Sequence, residues 1–156
     1  MSTEAPPPLK ITEQWGRLNE TLIALLDNVP EERMNWSPSP ELWSFRGILL
    51  HTIIARDHWM GGCVKDGAAS PNVLEAAQSK DGMRTEFRRS WERVRRFLSD
   101  PAKLEASYEW GPQRPEFHEN GHWIAFHLLE HDVHHRADIF HYLALLGIEH
   151  PEVETP

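Results

Sequence analysis

A chain of 156 residues, 40% apolar and 26% charged, fits a single domain large enough to bury a core of its own. Its formal net charge of −8 argues against a general nucleic-acid binder, and its single cysteine, Cys63, excludes an internal disulfide framework and fits a reducing cytoplasm. No apolar run approaches the ~20 residues that span a bilayer, and the N-terminus has no signal-peptide core, so a soluble cytoplasmic protein without membrane or nucleic-acid partners is expected.

Met1 to Pro8 is rich in proline and reads as a disordered lead-in. One domain is expected over residues 9–148, followed by an acidic, proline-bounded tail over 149–156. Ile11, Trp15, Leu18, Leu22, Leu25 and Val29 alternate at spacings of four and three, the seam of a packed helix, and Pro30 stops it. Met34 to Leu42 is a loop broken by prolines. Ser44 then reads as the N-cap of a second helix running to about Met60, with Ser39 before Pro40 as a competing start. That helix is apolar on most sides, through Phe45, Ile48, Leu49, Leu50, Ile53, Ile54 and Trp59, and carries His51 in its middle and His58 near its end.

Gly61 to Gly82, with four glycines and Pro71, reads as a long crossover loop holding a short helix near Val73 to Gln78. A third helix is predicted over Met83 to Leu98, with Met83, Phe87, Trp91, Val94 and Leu98 inward. Six arginines (Arg84, Arg88, Arg89, Arg93, Arg95, Arg96) line the remainder and read as a solvated face relieved by Glu86 and Glu92, the alternative being a local patch for an anion or acidic partner. Leu104 to Asn120 is irregular, and no stretch alternates as a strand would. Asn120 and Gly147 bracket the fourth helix as N-cap and C-cap. The pattern predicts an all-α four-helix bundle with one long crossover between its second and third helices.

The fourth helix holds six of the ten histidines. At about 100° per residue, His131 and His135 fall in one stripe with Ile124, Leu128, Ile139, Tyr142 and Leu146. Burying an unpaired imidazole costs a few kcal/mol, so two on a core-facing stripe need partners. Spacing of i and i+4 suits two rings converging on one divalent ion, and His51, also on an apolar face, supplies a third nitrogen. Three neutral ligands with an open position form a catalytic arrangement, in which the metal lowers the pKa of a bound water or thiol. Asp138 and Tyr142 lie near the stripe and could orient ligands or substrate, Asp138 reading equally well as a helix-surface carboxylate.

A competing pattern is His127 to His131, H-L-L-E-H, which matches the H-x-x-E-H signature of zinc peptidases with Glu130 as general base. Glu130 points about 100° away from His131, which counts against it. His134 and His141 are expected at the surface or an interface, and Cys63, in a glycine loop, is incidental. A second apolar stripe on the same helix, Phe126, Leu129, Val133, Phe140 and Leu143, has no fifth helix to cover it, so a homodimer is expected.

W-S-F-R-G-I-L-L-H at Trp43 to His51, H-D-V-H-H-R at His131 to Arg136 and Y-L-A-L-L-G at Tyr142 to Gly147 come in an order and spacing that resembles the DinB/YfiT-like superfamily of metal-binding four-helix bundles. The resemblance runs from Leu9 to about Pro151. It implies that His51, His131 and His135 ligate a divalent metal, with zinc or nickel expected. Where the family often continues H-R-G-Q, this chain has His135-Arg136-Ala137-Asp138, so no glutamine role carries over. The family includes S-transferases using low-molecular-weight thiols, a thiol-dependent isomerase and metal-dependent hydrolases. The expectation drawn from it is metal-activated transfer of such a thiol to a small electrophile. The alternatives are hydrolysis by a water on the metal and a non-catalytic metal- or ligand-binding bundle.

Overall fold

The computed structural model describes residues 10–153 and is mostly helical. Helix α1 (Ile11–Asn28) ends where Val29 turns extended, as the residue before a proline prefers, and Val29 is itself buried. Trp15, Leu18, Leu22 and Leu25 face the core as their spacing predicts, whereas Ile11 in the first turn is exposed. The lead-in expected at residues 1–8 lies outside the described residues.

Helix α2 (Phe45–His58) is capped by Ser44, whose Oγ accepts from the Gly47 amide at 3.1 Å. It does not break at the glycines. The chain continues in a wider π-helical turn over Trp59–Val64, stopped by Lys65 in the left-handed region at φ 55°. Cys63, expected in an open glycine loop, is therefore buried in that turn, and burial pushes its thiol up. The short helix expected after it is α3 (Val73–Ala76), capped by Asn72.

Helix α4 (Lys80–Leu98) starts three residues before Met83, because Ser79 Oγ accepts from the Gly82 amide and opens it earlier. Its arginines are not simply solvated. Arg93 is buried, donating through Nη1 to Asp57 (3.1 Å) and through Nη2 to Asp66 (2.6 Å) and the Ala68 carbonyl (3.1 Å). Arg89 pairs with Asp57 and Glu86. The guanidinium fork thus ties the connection after α2 down onto α4.

Leu104 to Asn120 is more regular than expected. Asp100 caps helix α5 (Pro101–Glu105), and strand β1 (Ser107–Glu109) pairs antiparallel with β2 (His118–Asn120), Ser107 opposite Asn120. Strands of three residues are too short to leave an alternation in sequence. Helix α6 (Gly121–Leu145) is capped by Asn120 Oδ1, which accepts from the Trp123 amide at 3.0 Å. It closes at Gly147 (φ 68°), with the Ile148 amide donating to the Leu143 carbonyl at 2.9 Å, a left-handed C-terminal turn that favours glycine. The tail folds back, with Asn28 donating to the Glu149 carbonyl and His150 stacking on Phe140.

Helix α1 packs on α4 and α6, and α2 packs on α4 and α6. The interior between them is filled by Trp15, Leu22, Leu26, Phe45, Leu49, Ile53, Phe87, Phe97, Ile124, Leu128 and Ile139. Full burial of such side chains contributes about 1.5–3 kcal/mol each. The α2–α6 contact places the middle of α2 beside the middle of α6.

Candidate metal centre

The contact between α2 and α6 brings His51 against His131 and His135. Ser44 and Phe45 set the start of α2, and six residues on, His51 emerges half-buried at the edge of the core. On α6, Ile124, Leu128 and Ile139 anchor the stripe with no exposure at all, which holds His131 and His135 on the same inward side. The ring centroids lie 4.8 Å apart for His51 and His131, 5.0 Å for His51 and His135, and 4.5 Å for His131 and His135. His51 Nε2 and His131 Nε2 are 2.9 Å apart, sharing one proton as a hydrogen bond. One ligand atom from each of the three rings lies within 4.8 Å of the others.

A tetrahedral ion with metal–nitrogen bonds of about 2.0–2.1 Å holds its ligands about 3.3 Å apart, so this set fits one after an adjustment of about an ångström. The chemistry of the donors suits it as well. Burial, and after it the charges His131 and His135 would carry, push His51 down to about 4. His135 is lowered in the same direction by burial and by His131, opposed by its hydrogen bond with Asp138. A ring kept neutral keeps the lone pair a metal needs. His135 Nδ1 meets Asp138 Oδ2 at 3.1 Å, which turns the ring's Nε2 inward. Asp138 thus sits where the sequence suggested an orienting group. Tyr142 is buried, packed edge-on against Trp36 and Phe45, and burial raises its hydroxyl.

The remaining histidines are elsewhere. His127 stacks on Trp123 (5.1 Å, 8° between planes) and against Trp59 (4.8 Å), with its centroid 6.5 Å from His131. Glu130 is exposed. His58 is exposed and lies on Trp110, while His134 and His141 are exposed on the outer side of α6. Among the described residues the other converging set is His134, His135 and Asp138, which reuses His135.

Two residues beside the site escaped the sequence reading. Trp43, half exposed, covers His51 at 4.4 Å and His135 at 6.0 Å between centroids, walling one side of the cluster. Asp132 is fully buried, with its Oδ2 accepting from Arg56 Nη2 (2.7 Å), Arg56 Nε (3.2 Å) and Trp15 Nε1 (2.7 Å). Burial, the largest single influence, would raise that carboxyl, but the Arg56 guanidinium together with His131 and Trp15 holds it below its usual value. A signal was available: Leu128, Asp132, His135 and Ile139 are spaced four, three and four, so the carboxylate lies on the core stripe itself.

The model of the DinB family matches residues 1–156. The chain belongs to the DinB family. Its fold is similar to that of a DinB-like protein from Bacillus cereus ATCC 10987, with a TM-score of 0.66 at 17% identity over 91% of this chain and 94% of that one. At that identity the likeness is one of fold. No curated protein matches the chain. Membership accords with the all-α architecture and with a histidine cluster able to hold a metal. Among the described residues no helix is long and apolar enough to cross a membrane.

Proposed function

We propose that this DinB-family protein is a divalent-metal-dependent enzyme, a four-helix bundle of α1, α2, α4 and α6 with a long crossover between α2 and α4. Its metal ligands are His51, His131 and His135, and its reaction is transfer of a low-molecular-weight thiol to a small electrophile. The observation that carries this reading is the convergence of three imidazoles from two helices, one ligand atom of each within 4.8 Å of the others. A zinc- or nickel-class ion held there supplies a Lewis acid that lowers the pKa of a bound thiol and keeps it as thiolate.

The protein's own residues favour an anionic partner. The converging ligands are all imidazoles, so they bring no negative charge to offset a divalent cation, and a thiolate in the open position does so. Asp138 orients His135, and Trp43 shields His51 and His135 from solvent on one side. The nearest glutamate on α6, Glu130, is exposed and gives no support to a peptidase-type general base. The proposal includes a homodimer through the second apolar stripe of α6. Leu143 of that stripe is buried within the chain, but Phe126 remains 64% exposed and Val133 39%.

The test is thiol consumption across a panel of small electrophiles, with zinc- or nickel-loaded protein, with chelator, and with His135→Ala. Turnover that needs both metal and His135 is expected. Metal-dependent cleavage of esters or amides without thiol consumption would replace transfer by hydrolysis. Metal uptake with no turnover of either kind would leave a binding module.

A further inference from the structure

We propose that Asp132 is a positioning residue: it holds His131 in the tautomer with the proton on Nδ1, leaving Nε2 free to ligate. This deepens the reading of the three histidines as metal ligands and rests on it. Among the described residues three buried side-chain polar atoms have no hydrogen-bond partner, Asn19 Nδ2, His131 Nδ1 and Asp132 Oδ1, and the last two belong to neighbouring residues of α6. They are complementary, a potential donor and an acceptor, and they lie 4.0 Å apart. The other face of each group is already committed. His131 Nε2 meets His51 Nε2 at 2.9 Å, on the side where the three rings converge. Asp132 Oδ2 takes all three donors that reach the carboxylate, Trp15 Nε1, Arg56 Nε and Arg56 Nη2.

Three bonds to one oxygen fix the plane of the carboxylate and leave Oδ1 turned towards the imidazole. A movement of about 1 Å in the ring closes the gap to an ordinary N–H···O bond of ~2.9 Å, an amount similar to that needed to bring the three ligand nitrogens onto one ion. Leaving buried polar atoms unbonded is costly, so closing this pair is favourable. A ligand histidine whose second nitrogen donates to a carboxylate has its tautomer and ring orientation set, which is what tight binding requires.

The carboxylate is in turn set by the whole helix assembly. Arg56 of α2 donates through Nη1 to Asn19 of α1 (2.8 Å) and Ser90 of α4 (3.3 Å), while Trp15 reaches Asp132 from α1. All four long helices therefore converge on the group behind His131. His135, by contrast, is oriented by the half-buried Asp138 of its own helix.

The experiment has two readouts. The first is long-range proton–nitrogen NMR of the metal-free protein, which reports each histidine's tautomer. His131 is expected as the Nδ1–H form in the wild type. In Asp132→Asn the side-chain oxygen stays with Arg56 and Trp15, so the amide NH2 faces the ring and His131 switches to Nε2–H. The second is zinc or nickel affinity by chelator competition, expected to fall about 10–100-fold in Asp132→Asn while helix content is retained. An Nε2–H form of His131 in the wild type overturns the proposal even if Asp132→Asn does not fold. So does an affinity within about threefold of wild type in a folded Asp132→Asn. If the wild type takes up no metal, the ligand reading fails, and the tautomer measurement still decides the role of Asp132 separately.

Discussion

Replacing Arg56 by methionine removes the guanidinium that pairs with Asp132, with both side chains at 0% exposure. The guanidinium makes two bonds to Asp132 Oδ2, one to Asn19 and one to Ser90, and the change cuts all of them while keeping most of the volume. Asp132 is then left buried with Trp15 as its remaining donor. Removing one partner of a buried pair costs about 3–5 kcal/mol, because the surviving charge is uncompensated. Against a typical stability of ~5–15 kcal/mol this is a large fraction. At about 2–4 °C per kcal/mol for a domain of this size, Tm should fall by roughly 6–20 °C. Urea unfolding followed by circular dichroism measures it, with the double variant Arg56→Met, Asp132→Leu as the second arm. The double variant should recover most of the loss, since an apolar pair replaces a buried ion pair at little cost. A loss below about 1 kcal/mol in Arg56→Met, or a double variant no more stable than the single, would refute the buried pair as described.

Burial holds His51 near 4 and lowers His135, whereas both titrate near 6.5 in an unfolded chain. Below about pH 6.5 the unfolded chain binds more protons, so metal-free stability is complete above that pH and declines as pH falls towards 4. After allowance for solvent at the half-buried His51 and the rim of the cluster, about 1–2 kcal/mol should be lost between pH 7 and pH 4.5, read from urea midpoints; a flat profile counts against the packing of the cluster. An alanine Cβ at Gly121 would overlap the Lys103 carbonyl and the Leu104 backbone, whereas one at Gly16 would only touch Trp91 at 3.6 Å. Gly121→Ala should therefore cost about 1–3 kcal/mol or more, and Gly16→Ala should be neutral or gain about 0.5–1 kcal/mol, both measured by thermal unfolding. Finally, His127→Ala should keep metal uptake and His135→Ala should lose it, by calorimetric titration, since His127 is committed to Trp123 and Trp59; the reverse order would return the site to the H-x-x-E-H pattern.

What the chain made legible was local. Ser44 and Asn120 could be read as caps because a cap depends on its own side chain and the next three residues. His131 and His135 could be read because helical spacing alone puts them on the stripe. His51 needed only the observation that an imidazole sits among core residues, and the structure brings it to the other two. What escaped depends on pairing across the fold. Arg56 and Asp132 are 76 residues apart, and a charge in an apolar helix does not announce which distant charge will neutralise it. The strands Ser107–Glu109 and His118–Asn120 are held by each other, with no long hydrophobic alternation to mark either. Arg93 looked like one member of an exposed row until Asp57 and Asp66 closed over it. In the second stripe of α6, Leu143 lies in the core and Leu129 and Phe140 are part-buried, while Phe126 and Val133 are exposed.

The most direct measurement is metal content and metal titration of the purified protein alongside His51→Ala, the ligand that comes from the other helix. The expected result is about one zinc or nickel ion per wild-type chain and loss of that site in the folded variant. Full retention of metal by His51→Ala, or a wild-type protein that takes up neither ion, would contradict it.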